Sequence, residues 1–187
     1  MQSTFVSKRE QRLWSLAAMV VVVIYATLGL ASTLVGMVDE EILAGLFLLA
    51  LILVGLTILT QGLKTIPSGA EIGIFIGVAA VYLLLCIRLA IPERSHLLEF
   101  GVLAVLIFEA LNEGKDHGRA IRYPALIAFL LTSLFGLVDE LIQLALPERV
   151  FDWEDILFNT LAALTAVIGM VGLRWTRTRS LVRAEDK

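Results

Sequence analysis

Residues 123–146 read YPALIAFLLTSLFGLVDELIQLAL, and this stretch decides what kind of protein the chain forms. It is long enough to cross a bilayer, because a helix rises about 1.5 Å per residue and the hydrocarbon core is roughly 30 Å thick. Yet two adjacent acids, Asp139 and Glu140, lie inside it. A central charge costs about 2.5–3.5 kcal/mol on insertion scales, so carboxylates within a span indicate a function.

The whole chain has the composition of a membrane protein. Its 187 residues are 58% hydrophobic and 18% charged, with a mean hydropathy of +0.87. Soluble domains are roughly 45–50% apolar, and a chain this short could not bury so much apolar surface in water. A disordered chain is excluded for the same reason. The net charge of −3 offers no clustered basic excess, so no nucleic-acid partner is predicted.

Six segments qualify as membrane spans, which predicts an all-α, polytopic transmembrane helical bundle. They are residues 13–38, 42–63, 72–91, 95–111, 123–146 and 156–173. Lysine and arginine are retained on the cytoplasmic side of a membrane. With the N-terminus inside, 12 of the 15 fall there, and only Arg88, Arg94 and Arg149 fall outside. Both termini are therefore predicted to be cytoplasmic.

The spans divide the chain into three predicted parts. These are an N-terminal two-span region (1–71), a four-helix core (72–173) and a basic cytoplasmic tail (174–187). The basic tail is expected to contact anionic lipid head groups. The alternative is that its charge acts only as a topology signal. Near the inner face, Glu109, Glu113 and Asp116 are expected to be solvated partners of Lys115 and Arg119.

Polar residues within the predicted spans share helix faces. Asp139 and Glu140 lie four and three residues before Gln143, so these three side chains lie on one broad face. His96 and Glu99 lie three residues apart at the start of the fourth span. In the predicted topology, both groups fall in the outer third of the membrane.

The sixth span opens with a second polar face. Asp152, Asp155 and Asn159 follow one another at spacings of three and four. Arg94 and Arg149 lie at the outer rim, so these groups together predict a polar cavity open to the outer face. Two structural explanations stay open. Asp152 could cap the sixth helix, and Arg149 could pair with Asp139 or Glu140.

Two stretches that hold these residues resemble the signatures of VanZ-like membrane proteins. The first is ERSHLLEF, residues 93–100. The second begins at Asp139 and is close to the pattern D-E-x-x-Q-x-x-x-P-x-R followed by D-x-x-x-N. The resemblance covers about residues 88–169 and does not extend to the first two spans. Phe100 stands where members often have tyrosine, and Ala162 stands where many have glycine.

The predicted topology gives a multi-pass protein with a site facing outward, and the resemblance places it in the bacterial cytoplasmic membrane. The VanZ-like family is associated with low-level resistance to the glycopeptide teicoplanin. Kinship with membrane enzymes that handle phosphate-linked lipid head groups is also implied. The expected partner is thus a membrane lipid or a lipid-linked envelope precursor, and the expected activity is that of a head-group transferase or hydrolase.

The hypothesis gives each polar residue a role. His96 is the general base or nucleophile, and Arg94 and Arg149 clamp the phosphate. Asp139 and Glu140 position a proton or hold a divalent cation. The full sets are His96, Asp139, Glu140 and Asp155 for catalysis, and Arg94, Glu99, Gln143, Arg149, Asp152 and Asn159 for substrate binding.

Two other functions fit the same residues. A non-catalytic protein could bind and shield an envelope lipid precursor or the antibiotic. Replacement of His96 by glutamine would then cost little function. A small transporter or flippase could relay protons through its acids, but it needs polar residues that continue to the inner face.

Overall fold

The computed structural model describes residues 5–27, 42, 68–88, 91–146 and 152–185, and all regular structure in these ranges is α-helical. The helices are α1 (Lys8–Thr27), α2 (Gly69–Arg88), α3 (Ile91–Asp116), α4 (Pro124–Leu144) and α5 (Trp153–Glu185). The all-α prediction is confirmed for this part of the chain. The third to sixth predicted spans correspond to α2–α5, whereas the second lies outside the described residues except for residue 42.

Helix α3 is the centre of the bundle, because it packs against α1, α4 and α5. Its buried side chains form one broad face, and the opposite side of the helix is half-buried, as expected for a helix with neighbours on several sides. The buried side chains include Leu97, Phe100, Leu103, Ala104, Ile107, Phe108 and Ala110. Helix α1 contributes Ala17 and Ile24, one heptad apart, to this core. Helix α5 packs on α3 and α4 and also holds α2.

Helix α4 has a leucine face and a polar face. Its exposed leucines recur every three or four residues, at positions 126, 130, 134, 137, 141 and 144. Its buried residues are Ala128, Thr132, Gly136, Asp139, Glu140 and Gln143. A soluble protein would not normally leave such a long apolar stripe uncovered, whereas acyl chains solvate it well. The polar face instead points into the protein.

Two of the described helical segments, α4 and Trp153–Arg179 of α5, are long and apolar enough to cross a membrane. The apolar described part of α2, Gly69–Leu84, is shorter. Helix α3 carries Glu99, Glu109 and Glu113, which make it more polar. Helix α5 continues without a break across residue 173, so the basic tail begins as a continuation of the last helix.

Glycines allow close packing of α2 on α5. A Cβ on Gly169 would lie 2.9 Å from Val78 Cγ2, and one on Gly172 would lie 3.3 Å from Ile74 Cδ1. The Tyr82 hydroxyl donates to the carbonyl of Ala162 at 3.2 Å, which ties α2 to α5. Small residues bring membrane helices together in this way.

Ion pairs fasten the helices at one end of the bundle. Arg9 of α1 binds Glu109 and Glu113 of α3, each at 3.0 Å. The fully buried Glu10 binds Arg119, which follows α3, at 2.7 Å. The start of α1 therefore lies beside the end of α3.

Two more ion pairs at the same end of the bundle join α5 to the end of α3 and to α2. Arg174 binds Asp116 at 2.6 Å, and Arg177 binds Glu71 at 2.8 Å. Lys115 and Arg119 were the expected partners of the acids near residue 113, but arginines from other helices also bind these acids. Glu109 and Glu113 bind Arg9 of α1, and Asp116 binds Arg174 of α5, because the helix ends that meet here place those arginines across the interface.

Candidate functional site

Three buried polar side chains form a hydrogen-bonded group in the last two turns of α4. Asp139 and Glu140 are fully buried, and Gln143 is 2% exposed. Gln143 Nε2 donates to Asp139 Oδ2 at 3.2 Å and to Glu140 Oε1 at 2.8 Å. The spacings of three and four that predicted a shared face therefore produce direct contact. We call these three residues the carboxylate–amide cluster.

The start of α5 is attached to this cluster. The backbone N–H of Asp152 donates to Glu140 Oε2 at 3.2 Å. The Asp152 side chain accepts the backbone N–H of Glu154 at 2.8 Å, which confirms that it caps the helix. Asp155, half-buried one turn further on, is close enough to Glu140 for their charges to interact. Acids from two helices thus meet at one end of the bundle.

Asn159 lies deeper in the same α4–α5 interface and is fully buried. A Cβ on Gly136 would lie 2.8 Å from Asn159 Cβ, so only glycine permits this approach of the two helices. Among the described residues, neither amide atom of Asn159 has a hydrogen-bond partner. Leaving a buried polar group unpaired costs about 1–3 kcal/mol. Such an amide is available to hydrogen-bond a ligand or a water molecule.

Helix α1 brings Tyr25 to the cluster, a residue that the sequence analysis missed. Its hydroxyl donates to the carbonyl of Phe135 at 3.1 Å, and it lies within electrostatic range of Asp139. The available signal was a phenol within an otherwise uncharged span. Nothing in the spacing along the chain connects that phenol to α4, which begins about a hundred residues later.

The predicted site includes residues on α3 and on the segment before α5. The side chains of Arg94 and His96 and the whole of Arg149 lie outside the described residues. Glu99 is half-buried on α3, and no hydrogen bond joins it to the α4 acids among the described residues. The meeting of His96 with the acidic pair, and the outward-facing cavity with Arg94 and Arg149 at its rim, therefore stay predictions.

The groups around Asp139 and Glu140 bear on the prediction that these two acids hold a divalent cation. Within the described ranges, no group of three or more His, Cys, Asp or Glu side chains is placed to hold a metal ion. The carboxylates of Asp139 and Glu140 instead face N–H donors from Gln143 and Asp152. These hydrogen bonds supply part of the compensation that adjacent buried carboxylates need.

The helices that build this site fall inside a region shared with known proteins. A family model described as VanZ/LLP1 matches residues 16–174. The chain belongs to the VanZ/LLP1 family. The match reaches into the first two predicted spans, beyond the region covered by the two signatures. Comparisons with the curated proteins and with the solved structures found no match. Family membership and the two apolar helical segments together indicate a membrane protein.

Proposed function

We propose that this VanZ/LLP1 protein acts at the outer leaflet on a lipid-linked phosphate head group, and so contributes to tolerance of the glycopeptide teicoplanin. It would cross the cytoplasmic membrane six times with both termini inside. The observation that carries the proposal is the buried carboxylate–amide cluster, which lies at the end of the bundle opposite the ion-paired basic residues. Family membership supports the membrane setting.

The chemistry proposed for the cluster is the storage and delivery of a proton. Asp139 and Glu140 share one amide donor in a buried setting, and two neighbouring carboxyl groups there favour a state with a single proton between them. The protonated carboxyl group would donate this proton to the leaving oxygen of the substrate, which is general acid catalysis. Asp155 would add a third acid beside Glu140.

The remaining roles follow the motif residues. His96 would take the proton of the attacking hydroxyl or water. Arg94 and Arg149 would bind the phosphate oxygens through paired N–H donors. Asn159, whose amide is buried and unpaired among the described residues, would hydrogen-bond the substrate. Gln143 would orient the acidic pair, while Glu99 and Asp152 would border the head group.

The proposal is tested by comparing wild-type protein with His96→Ala, Asp139→Asn and the control Glu154→Gln in one bacterial host. Glu154 is exposed and lies at the same end of α5, so its variant removes an acid near the site without touching the cluster. The measurements are teicoplanin sensitivity and the pools of lipid head groups and envelope precursors. Protein level in the membrane and elution as a folded species in detergent are checked for each variant.

We expect His96→Ala and Asp139→Asn to abolish the change in head-group pools and the tolerance, while Glu154→Gln retains both. Full function in His96→Ala and Asp139→Asn would end the catalytic proposal. Non-catalytic binding of an envelope precursor is the second candidate, which the unpaired amide of Asn159 favours. It predicts unchanged lipid pools, lost tolerance in Asp139→Asn and retained tolerance in His96→Gln.

A further inference from the structure

A second polar surface lies on α1, at the ion-paired end of the bundle. An open groove of about 540 Å³ is lined by Lys8, Gln11, Arg12, Ser15 and Leu16. Their spacings of three and four place them on one face of the helix. The four polar side chains all carry hydrogen-bond donors, and none of the five is acidic. We call this surface the α1 groove.

The two cations of the α1 groove differ from the arginines that join the helices at this end. Four arginines are neutralised by acids at 2.6–3.0 Å, namely Arg9, Arg119, Arg174 and Arg177. Among the described residues, Lys8 and Arg12 form no ion pair. Arg9, one residue after Lys8, points to α3 instead. Within the described part of the chain, the groove therefore presents two positive charges that no acid pairs with.

The same face of α1 becomes apolar towards the middle of the helix. Met19, Val22 and Val23 continue the spacing from Ser15 and Leu16, and they are 61%, 66% and 51% exposed. The surface is thus cationic and rich in hydrogen-bond donors at one end and apolar along the rest. This arrangement matches the two parts of an anionic phospholipid, a negative head group followed by acyl chains.

We propose that the α1 groove binds the head group of an anionic phospholipid of the inner leaflet. Lys8 and Arg12 contact the phosphate, Gln11 and Ser15 donate to its oxygens, and an acyl chain lies along Met19. Charge-assisted hydrogen bonds from cationic side chains suit a phosphate, and basic residues at a membrane surface attract anionic lipids. The proposal uses the N-inside orientation of the proposed function but does not depend on the chemistry at the carboxylate–amide cluster.

The test titrates purified protein in zwitterionic detergent with phosphatidylglycerol, and with phosphatidylcholine as the neutral lipid, and measures bound lipid by native mass spectrometry. For Lys8→Gln with Arg12→Gln, we expect about 30-fold weaker binding of phosphatidylglycerol. The matched control is Lys115→Gln with Arg122→Gln, which removes two exposed charges at the same end, outside both the groove and the basic tail. Its affinity is expected to stay within about twofold of the wild type.

Three results would overturn the proposal. The first is an equal loss of phosphatidylglycerol affinity in the two double variants, which would show diffuse attraction to charge. The second is unchanged affinity in the groove variant. The third is competition by glycerol phosphate that is as strong as competition by the lipid. A variant that keeps both charges, Lys8→Arg with Arg12→Lys, separates binding from folding because it is expected to retain the lipid. Lipid binding is read directly, so loss of the proposed enzymatic function would leave this result standing.

Discussion

At the residue scale, two buried glutamates show how one side chain can organise the start of a helix. The backbone N–H of Glu10 donates to Ser7 Oγ at 2.9 Å, and that of Glu71 donates to Ser68 Oγ at 3.3 Å. Glu71 also accepts the backbone N–H of Ser68 at 2.8 Å, which completes a capping box. Each glutamate in addition binds an arginine from another part of the chain.

The Glu71 contacts predict a pH dependence of stability. Glu71 precedes the predicted span, and the Ser68 N–H, followed by the hydrogen bond from Arg177, lowers the pKa of its carboxyl group below 4.5. A folded-state pKa below the unfolded value means that the stabilisation is present above pH 4.5 and is lost as the pH falls through the folded pKa. The difference in melting temperature between wild type and Glu71→Gln should therefore be large at neutral pH and shrink in acid. A gap that stays constant down to about pH 3 would contradict this explanation.

At the element scale, the contact between Gly136 and Asn159 sets how closely α4 approaches α5. The polar face of α4 is brought against the polar face of α5 only because no side chain separates them at Gly136. The attachment of Asp152 to Glu140 holds the ends of the same two helices together. The geometry of the candidate site is therefore a property of this helix pair.

Substitution of Gly136 by alanine should push the two helices apart. The added Cβ would lie 2.8 Å from Asn159 Cβ, and overpacking of this kind costs about 1–3 kcal/mol. The measurement is thermal unfolding in detergent. Gly77→Ala is the matched control, because a Cβ there meets nothing within 4 Å and alanine in a helix is favoured over glycine by roughly 0.5–1 kcal/mol. Equal stability changes in the two variants would disprove the close-contact explanation.

At the scale of the whole molecule, the two ends of the bundle differ in character. Ion pairs and basic residues occupy one end, and buried acids with a capped helix start occupy the other. Trp153 and Trp175 are exposed near the two ends of the apolar segment Trp153–Arg179 of α5, and their separation in sequence corresponds to about 33 Å along a helix. This distance suits tryptophans at the two interfaces of one bilayer. The bundle therefore has the dimensions of a membrane protein.

The proposed orientation predicts which end faces the cytoplasm. In a cysteine-free background made by Cys86→Ala, single cysteines are placed at the exposed positions Lys115 and Glu154. A membrane-impermeant maleimide added to intact cells should label Glu154→Cys at once and Lys115→Cys only after permeabilisation. The reverse labelling pattern would show that the topology is opposite to the proposed one. Labelling of both cysteines from one side would contradict the separation of the two ends.

Several features of this protein could be predicted from local sequence, because they depend on hydropathy and on spacings of three or four residues. The helical bundle, the shared face of Asp139, Glu140 and Gln143, and the cap at Asp152 belong to this group. The two Ser-x-x-Glu helix starts also belong to this group. The family was recognisable for the same reason, since its signatures are short patterns of polar residues.

Other features were decided only by the tertiary structure. The Arg9 partners, the approach of Tyr25 to Asp139 and the groove on α1 all depend on which helix faces which. Arg9 and Glu113, for example, are 104 residues apart along the chain. Local periodicity tells which face of a helix is buried but not which neighbour covers it. That choice is made by the packing of the whole bundle, where small residues and complementary charges select the partners.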